Sequence, residues 1–355
     1  MGKKVAIGLS GGIDSSAAAY LLKEEGYEPI GFTLKFFPLD NRCCDLDSLY
    51  QARRLCDKLK IPHYTLDAGD NFQRQIIDNF LSSYLNGLTP NPCTFCNRLI
   101  KFGFFLDKLK ALNIEYLATG HYAAIVKKGE RYFLKEARDK VKSQEYFLAM
   151  LKPQVLPKLI FPLSDYTKSQ VYELARDKKI LFKERKESQD VCFVTRGSYS
   201  DFIRDNITDH HKYSGDIKHV EGKILGKHKG IYNFTYGQRQ GLGVGWREPL
   251  YVVSINPETK DVIVGERKFL SQDSFYLNSP NWFIEENELL SYNKENTPLK
   301  VKVRYNSPSH PCYLEANSGR IKVKLLNPLE SIAPGQVAVF YNQDIVLGAG
   351  LIDKL

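Results

Sequence analysis

The sequence contains no apolar run that approaches the length of a membrane span, which excludes a protein held in the bilayer by helices. Val5–Leu9, the first apolar run, begins within a few residues of Met1 and leaves no room for a secretory signal peptide. Met1-Gly2 does not open a myristoylation motif, because Ala6 stands where that motif has serine or threonine. We therefore expect a cytoplasmic protein with no membrane partner.

Two common nucleotide-binding signatures are also missing, the Walker-type Gly-Lys-Ser/Thr and the dinucleotide motif GxGxxG, and there is no internal repeat. A chain of 355 residues with 43% hydrophobic and 26% charged residues is expected to form two or three globular domains. Fifty Lys+Arg against 41 Asp+Glu give a net charge of +9, which suits a polyanionic partner without identifying one.

The seven cysteines are odd in number. They are Cys43, Cys44, Cys56, Cys93, Cys96, Cys192 and Cys312. In a cytoplasmic chain this favours thiol or metal chemistry in a subset, while the others serve as small buried hydrophobes.

The first 133 residues alternate between strand-like and helix-like segments. The candidate strands are Val5–Leu9, Pro29–Phe36, Pro62–Leu66 and Tyr116–Thr119, and the candidate helices are Ser15–Glu25, Leu46–Leu59, Phe72–Asn86 and Arg98–Leu112. This alternation predicts an α/β fold with a parallel, doubly wound sheet, whose ligand site lies at the carboxyl ends of the strands.

A loop of small residues joins the first strand to the first helix. It comprises Gly8, Leu9, Ser10, Gly11, Gly12, Ile13, Asp14 and Ser15, followed by Ser16. Glycines let the backbone approach a ligand, and the hydroxyls lie beside the N–H groups of the first helical turn, so the loop is predicted to cradle a pyrophosphate. Leu34 lies near the end of the second candidate strand and Gly120 just after the fourth, so both are predicted to reach the same edge. A ligand-free turn is the alternative interpretation.

Two prolines, Pro90 and Pro92, forbid helix just before Cys96, so Cys96 is predicted to lie at a helix N-terminus. There the helix dipole lowers a thiol pKa and favours a thiolate nucleophile. Cys192 lies in a short apolar run, where packing is the usual role of a lone cysteine. The charged segment from Thr167 to Lys186 has a helical period and is interpreted as a solvated face.

The composition changes near Phe202, where glycines and short β-prone runs indicate a small β-rich domain. Alternating runs after Asn278-Ser279-Pro280 predict a C-terminal β-barrel. The predicted domains are residues 1–200, the nucleotide-binding domain, 201–275, the central β-rich domain, and 276–355, the barrel.

The loop resembles the SGGxDSS signature of the PP-loop ATP pyrophosphatases, which cleave ATP between the α and β phosphates and adenylate an oxygen of a second substrate. Along nearly its whole length the chain resembles one family of these enzymes, the bacterial tRNA-specific 2-thiouridylases (the MnmA family). The matching stretches are Gly8–Ser16, Thr89–Phe102, Ala118–Tyr122, Tyr146–Leu148, Cys192-Phe193, Thr235–Gly245, Val303–Tyr305, Ala333–Gln336 and Leu347-Gly348.

This resemblance implies synthesis of 2-thiouridine at the wobble base of tRNA, with ATP and Mg²⁺ and with sulfur passed as a persulfide by a relay protein or a cysteine desulfurase. It implies that Cys192 accepts the persulfide. Cys96 then attacks its inner or outer sulfur, which releases sulfide for the base or closes a Cys96–Cys192 disulfide.

The resemblance also implies positions that contact the RNA. Asn91, Pro92 and Cys93 would flank the target uridine, and His121, Lys142, Ser143, Gln144, Arg304, Tyr305 and Gln336 would contact the tRNA. Two residues depart from many relatives, which have Asp at the positions of Cys93 and Ser143.

Cys93 creates a CxxC motif with Cys96. Together with Cys192, these cysteines could instead ligate a [4Fe–4S] cluster, so that the persulfide and cluster routes use the same thiols. We favour the persulfide route. A different PP-loop ligase, which would need no paired cysteines, and a non-catalytic RNA-binding protein are the rival interpretations.

Overall fold

A five-stranded parallel sheet forms the centre of the N-terminal half of the protein. The computed structural model describes residues 2–37, 46–180, 191–194, 197–294, 298–317, 320–330 and 332–353. Cys43 and Cys44, whose role the sequence left open, lie outside these residues. In the part of the chain that the structure describes, no helix is both long enough and apolar enough to cross a membrane.

The strands of this sheet are β1 (Lys4–Gly8), β2 (Glu28–Lys35), β3 (His63–Asp67), β4 (Tyr116–Ala118) and β7 (Leu159–Ile160). Their order is β3-β2-β1-β4-β7, and all neighbouring pairs are parallel. The chain therefore proceeds from β1 to one side through β2 and β3, and later to the other side through β4. This reversal makes the carboxyl ends of β1 and β4 the topological switch point, where doubly wound sheets bind their ligands. The predicted fold class is confirmed.

Small residues allow helix α1 (Ile13–Glu24) to pack closely on the sheet. Ala17, Ala18 and Ala19 are completely buried in one core with Val5 and Ile7 of β1. The other α-helices of this half are α2 (Leu46–Leu59), α3 (Gly69–Phe72), α4 (Asp78–Leu85), α5 (Pro92–Phe95), α6 (Phe105–Ala111), α7 (Glu145–Leu148) and α8 (Lys168–Asp177). A hairpin of β5 (Ala124–Lys128) and β6 (Arg131–Lys135) follows β4 closely.

Two of the predicted helices are interrupted by π-helix. The segment predicted as Phe72–Asn86 contains π-helix Gln73–Ile77 between α3 and α4. The segment predicted as Arg98–Leu112 contains the nine-residue π-helix Cys96–Phe104 between α5 and α6. Because π-helices hydrogen-bond from residue i to i+5, residues five apart share a face there, as they do not in an α-helix.

The central β-rich region has its own four-stranded sheet, in the order β10-β11-β8-β9. Its strands are β8 (Gly215–His219), β9 (Ile224–His228), β10 (Leu250–Ile255) and β11 (Val262–Glu266), and helix α9 (Tyr199–Asp205) precedes them. Val252, Val262 and Val264 are completely buried between this sheet and its loops.

The C-terminal region is a closed barrel of six antiparallel strands. They are β12 (Ser271–Trp282), β13 (Leu299–Lys302), β14 (His310–Asn317), β15 (Arg320–Glu330), β16 (Val337–Asn342) and β17 (Ile345–Asp353), with helix α10 (Glu286–Lys294) after β12. Pairing of β12 with β17 closes the ring, so that no strand of the barrel is left as an edge. The predicted barrel is confirmed.

The chain divides into two compact units. One comprises Met1–Ile76, Cys93–Thr195 and Asp344–Leu347, and the other Ile77–Pro92, Arg196–Gln343 and Gly348–Leu355. The division into three domains at residues 200 and 275 stays a prediction.

Candidate active site

The loop between β1 and α1 is shaped by two close backbone approaches that require glycine. Gly11 has φ +73°, and a Cβ atom there would lie 2.5 Å from the Ser48 carbonyl oxygen. A Cβ atom on Gly120, which follows β4, would lie 2.6 Å from the backbone nitrogen of Ser15. The side chain of Ser15 donates to the Gly12 carbonyl oxygen at 3.0 Å and accepts from the Ser10 N–H at 3.2 Å. These contacts hold the first turn of α1 open toward an anion.

We expect Gly11→Ala to abolish nucleotide binding. The left-handed conformation costs a residue with a Cβ atom about 1–2 kcal/mol, and here the added methyl group also collides with the Ser48 backbone, so the loop must move. Isothermal titration with ATP measures the effect. Gly129→Ala, at a positive-φ turn with open space around it, is the control. Unchanged ATP affinity in Gly11→Ala would contradict this role for the loop.

Asp14, at the start of α1, is engaged by two side chains. Nζ of Lys168, at the start of α8, donates to both carboxylate oxygens at 2.8 Å, and the Tyr122 hydroxyl donates to Oδ1 at 2.8 Å. The Lys168 side chain is only 12% exposed. Lys168 was not among the predicted site residues, because the charged segment that contains it has the pattern of a solvated face. The structure therefore places a fixed positive charge beside the predicted pyrophosphate loop.

A cavity of about 260 Å³ opens at the carboxyl ends of the strands. Its lining includes the predicted residues Gly8, Leu9, Ser10, Asp14, Ser15, Leu34, Gly120, His121 and Gln144, together with Phe32, Lys35, Phe36, Lys101 and Phe105. The sheet edge thus brings together most of the predicted nucleotide-binding residues, and the aromatic and aliphatic walls offer an apolar surface for a base.

His121 belongs to this cavity and lacks the charge that a phosphate contact would use. Its Nδ1 lies 2.7 Å from the Thr119 hydroxyl, and its ring packs near Phe102 and Phe161. Burial, together with the positive charge of Lys101, holds the pKa of His121 well below its usual range. At neutral pH His121 is therefore an uncharged cavity residue, and its contact with tRNA stays a prediction.

Cys96 does not lie at a helix N-terminus, because the helical run already begins at Pro92. The thiol is buried, and burial raises its pKa to about 12, while the charge of Lys101 acts in the opposite direction. The predicted lowering of the Cys96 pKa is therefore wrong for this conformation. The prediction failed because the helical run begins before Cys96 and because desolvation raises the pKa of a buried thiol.

Lys101 is a second residue that the sequence analysis missed. It lies five residues after Cys96 in the π-helix, on the same face, and it lines the nucleotide cavity. A helical period of 3.6 would place the two residues on different faces, so no α-helical pattern could indicate the pair. One element thus carries both a thiol and a cation that reaches the nucleotide cavity.

Cys192 is half-buried on a short turn in which the Val194 N–H donates to the Val191 carbonyl oxygen. The adjacent Phe193 is buried against Phe72, which anchors the turn. Cys93 is exposed, Cys96 is buried and Cys192 is half-buried, and the three side chains are close enough for their charges to interact. Cys56 and Cys312 are buried free thiols, typical of packing residues.

The described residues contain no group of three or more His, Cys, Asp or Glu side chains arranged to hold a metal ion. Cys93, Cys96 and Cys192 are among those residues and do not form such a group in this conformation, and the cluster route stays the alternative to the persulfide route.

The residues predicted to contact RNA differ in their exposure and in their hydrogen bonds. Ser143 is 5% exposed, and its hydroxyl accepts the Ala137 N–H at 2.8 Å; its contact with tRNA stays a prediction. Gln336 donates from Nε2 to the Thr89 carbonyl oxygen at 2.8 Å and so holds the segment that leads to Asn91 and Pro92. Arg304 is exposed on the turn after β13, and Tyr305 beside it is half-buried. Lys142 is half-buried on the loop before α7.

The fold and this loop define a nucleotide-binding protein of the PP-loop superfamily. Three family models match in order: the tRNA methyl transferase HUP domain over residues 3–196, the tRNA methyl transferase PRC-barrel domain over 200–266, and the aminomethyltransferase beta-barrel domain over 272–352.

Curated relatives match over the whole chain. A tRNA-specific 2-thiouridylase MnmA 1 of Clostridium botulinum is 38% identical over 100% of both chains. That of Caldanaerobacter subterraneus is 39% identical over 99% of this chain and 98% of its own. The chain belongs to the family of tRNA-specific 2-thiouridylases. Among solved structures, the U34-tRNA thiolase NcsA of Methanococcus maripaludis has a TM-score of 0.37 at 22% identity, covering 57% of this chain and 65% of that one, and carries no argument here.

Proposed function

We propose that this protein is a tRNA-uridine 2-sulfurtransferase, which uses ATP to replace the 2-oxygen of a wobble uridine by sulfur and releases AMP and diphosphate. One observation carries the proposal. Lys101 lines the nucleotide cavity and lies on the same face of one π-helix as Cys96, so that adenylation and sulfur transfer take place on neighbouring groups. A ligase that only adenylates has no use for this thiol.

The first step activates the base. The uracil 2-carbonyl is a poor electrophile, and its oxygen is a poor leaving group. The oxygen attacks the α-phosphorus of ATP, diphosphate leaves, and the oxygen becomes part of an AMP leaving group. The first turn of α1, held by Ser10 and Ser15, and the nearby Lys168 stabilise the negative charge of the departing diphosphate.

Asp14 does not fit the role of a resident Mg²⁺ ligand in this conformation. Both of its oxygens accept from Lys168, and Oδ1 also accepts from Tyr122, so the counter-ion of this carboxylate is an ammonium group. Magnesium enters as the counter-ion of the ATP phosphates, as part of the substrate. The role of Asp14 is to hold the Lys168 ammonium at the loop.

The second step delivers sulfur. A persulfide on Cys192 comes from a relay protein or a cysteine desulfurase, and the half-buried turn of Cys192 suits such a handover. The Cys96 thiolate attacks the Cys192 sulfur, a Cys96–Cys192 disulfide forms, and hydrosulfide leaves. Hydrosulfide adds to C2 of the activated uridine, and AMP departs with the original oxygen. An external thiol then reduces the disulfide. All these steps suit a protein that works in the cytoplasm with tRNA.

The buried state of Cys96 predicts a steep pH dependence of sulfur transfer. Because its pKa is raised to about 12, the thiolate fraction grows about tenfold per pH unit through the neutral range. We expect the single-turnover rate of thiolation, started from Cys192 persulfide, to rise with this slope between about pH 6 and about pH 9. A plateau near neutral pH would contradict attack by the buried thiol.

Arg304 is predicted to contact tRNA phosphates. We expect Arg304→Gln to weaken tRNA binding and to reduce the slope of log affinity against log salt by about 1, with ATP affinity unchanged. Arg320→Gln in the same barrel is the control, because its guanidinium is already paired with Asp353 at 2.7 Å. Equal effects of the two variants, measured by filter binding, would contradict a specific phosphate contact.

Mass spectrometry of tRNA nucleosides tests the proposed function. Purified iron-free protein, unmodified tRNA, ATP, Mg²⁺ and a persulfide donor should yield 2-thiouridine and AMP in equal amounts. ADP as the product would refute the adenylation chemistry. If cluster-loaded protein thiolates tRNA and iron-free protein does not, the cluster route is favoured over the persulfide route.

A further inference from the structure

Asp139 joins two elements that the sequence separates. Its Oδ1 accepts the N–H groups of Val141 and Lys142, both at 3.2 Å, and thereby shapes the loop that carries Lys142. Its Oδ2 accepts the backbone N–H of Lys168 at 2.9 Å. A single carboxylate thus holds the 139–144 loop against the residue whose side chain pairs with Asp14.

The bond to Lys168 goes beyond ordinary capping of α8. Thr167 already caps this helix, because its hydroxyl accepts from the Gln170 N–H while the Gln170 side chain accepts from the Thr167 N–H. Asp139 therefore supplies a link between elements, in addition to the local cap.

A second link connects the same loop to the same carboxylate. Oε1 of Gln144 accepts the Tyr122 N–H at 2.9 Å, and the Gln144 N–H donates to the Tyr122 carbonyl oxygen at 2.7 Å. The Tyr122 hydroxyl in turn donates to Asp14 at 2.8 Å. The 139–144 loop and Asp14 are therefore joined by two chains of contacts, one through Asp139 and Lys168 and one through Gln144 and Tyr122.

The loop is exposed at its tip, where Val141 is 85% exposed. A macromolecule that contacts Lys142 there acts on a segment whose position is tied to the Asp14–Lys168 pair. Movement of the 139–144 loop is therefore coupled to the position of the Lys168 ammonium group.

We propose that Asp139 is a positioning residue that couples tRNA contact at the 139–144 loop to the Asp14–Lys168 pair at the nucleotide loop. The inference rests on the proposed function, with tRNA as the substrate, and on the predicted contacts of Lys142 and Gln144 with tRNA. Binding of tRNA then tightens binding of ATP, and by thermodynamic linkage ATP tightens binding of tRNA by the same factor. ATP is used efficiently only when the base to be activated is present.

The experiment measures this factor directly. The dissociation constant of α,β-methylene-ATP, which cannot be cleaved between the α and β phosphates, is determined by titration with and without saturating unmodified tRNA. We expect tRNA to tighten binding of the analogue by about 5–150-fold in the unchanged protein, as is usual for coupled sites. In Asp139→Asn, which keeps an oxygen for the loop but replaces the other acceptor, the factor should fall by about 2–30-fold.

Two further variants separate coupling from folding. Asp139→Ser retains a short acceptor for the loop N–H groups but cannot reach Lys168, and it should lose coupling as Asp139→Asn does. Asp177→Asn, at the other end of α8 and 71% exposed, should keep the full factor. In every variant the coupling factor is compared with the affinity for the analogue alone, because a merely structural defect would lower that affinity without changing the factor.

The outcomes are distinguishable. An Asp139→Asn protein with the full coupling factor, or an unchanged protein that thiolates tRNA without any coupling, overturns the inference and leaves the proposed function standing. An unchanged protein that binds tRNA and ATP but forms neither AMP nor 2-thiouridine overturns the proposed function itself.

Discussion

Replacing Cys96 by serine is expected to abolish tRNA thiolation, with a loss of about 10³-fold or more, while ATP and tRNA still bind. Serine keeps the size of the buried side chain, but its hydroxyl is not a nucleophile toward a persulfide. The variant should therefore stall with an intact Cys192 persulfide. Mass spectrometry of the protein after incubation with the donor should show the additional sulfur on Cys192, and no 2-thiouridine should appear in the tRNA.

Cys93→Ser is the matched control for this experiment, because Cys93 lies three residues away and is exposed. It should retain most of the thiolation. Cys192→Ser should abolish thiolation and also carry no additional sulfur. Loss of activity in Cys93→Ser together with loss of iron and acid-labile sulfide would contradict the assignment and restore the cluster route.

The second large effect on activity is expected when Lys168 is replaced. Lys168→Met should lower the rate of AMP and diphosphate formation by about 10²–10³-fold, because the variant removes a preorganised positive charge from the site where diphosphate leaves. It also leaves Asp14 without its ammonium partner at a position that binds an anion. Rapid-quench measurement of labelled diphosphate release gives the rate, with tRNA and ATP at saturation.

Lys178→Met is the control for Lys168→Met, since Lys178 lies at the other end of α8 over the ring of Tyr20. Its rate should stay close to that of the unchanged protein. If Lys168→Met releases diphosphate at the full rate, the stabilising charge must come from another group, and the role given to Asp14 fails with it.

The sequence could predict the nucleotide loop because its determinants are local. Gly11 and Asp14 lie in one turn between a buried strand and a helix, and the alternation of elements places Gly120 at the same edge. These features depend on backbone conformation and on strand order, both of which leave a short-range pattern. The fold class follows from the same pattern.

The electrostatics of the site could not be predicted in this way. Asp14 and Lys168 are 154 residues apart, and no local pattern indicates that they pair. The pKa of Cys96 depends on burial by other segments, and its relation to Lys101 depends on a π-helix, which interrupts the helical period on which sequence analysis relies. Tertiary packing decides both.

The contacts of the segment Ile77–Pro92 limit where this protein can be truncated. The first family model spans it, yet Tyr84 stacks on Tyr199 with ring centroids 4.8 Å apart, and the Thr89 N–H donates to the Pro334 carbonyl oxygen at 2.8 Å. A fragment ending near residue 200 would strip these contacts from the residues that immediately precede Cys93. The segment 77–92 is thus held by residues that follow position 196, so an exchange of the barrel between relatives must carry residues 77–92 with it.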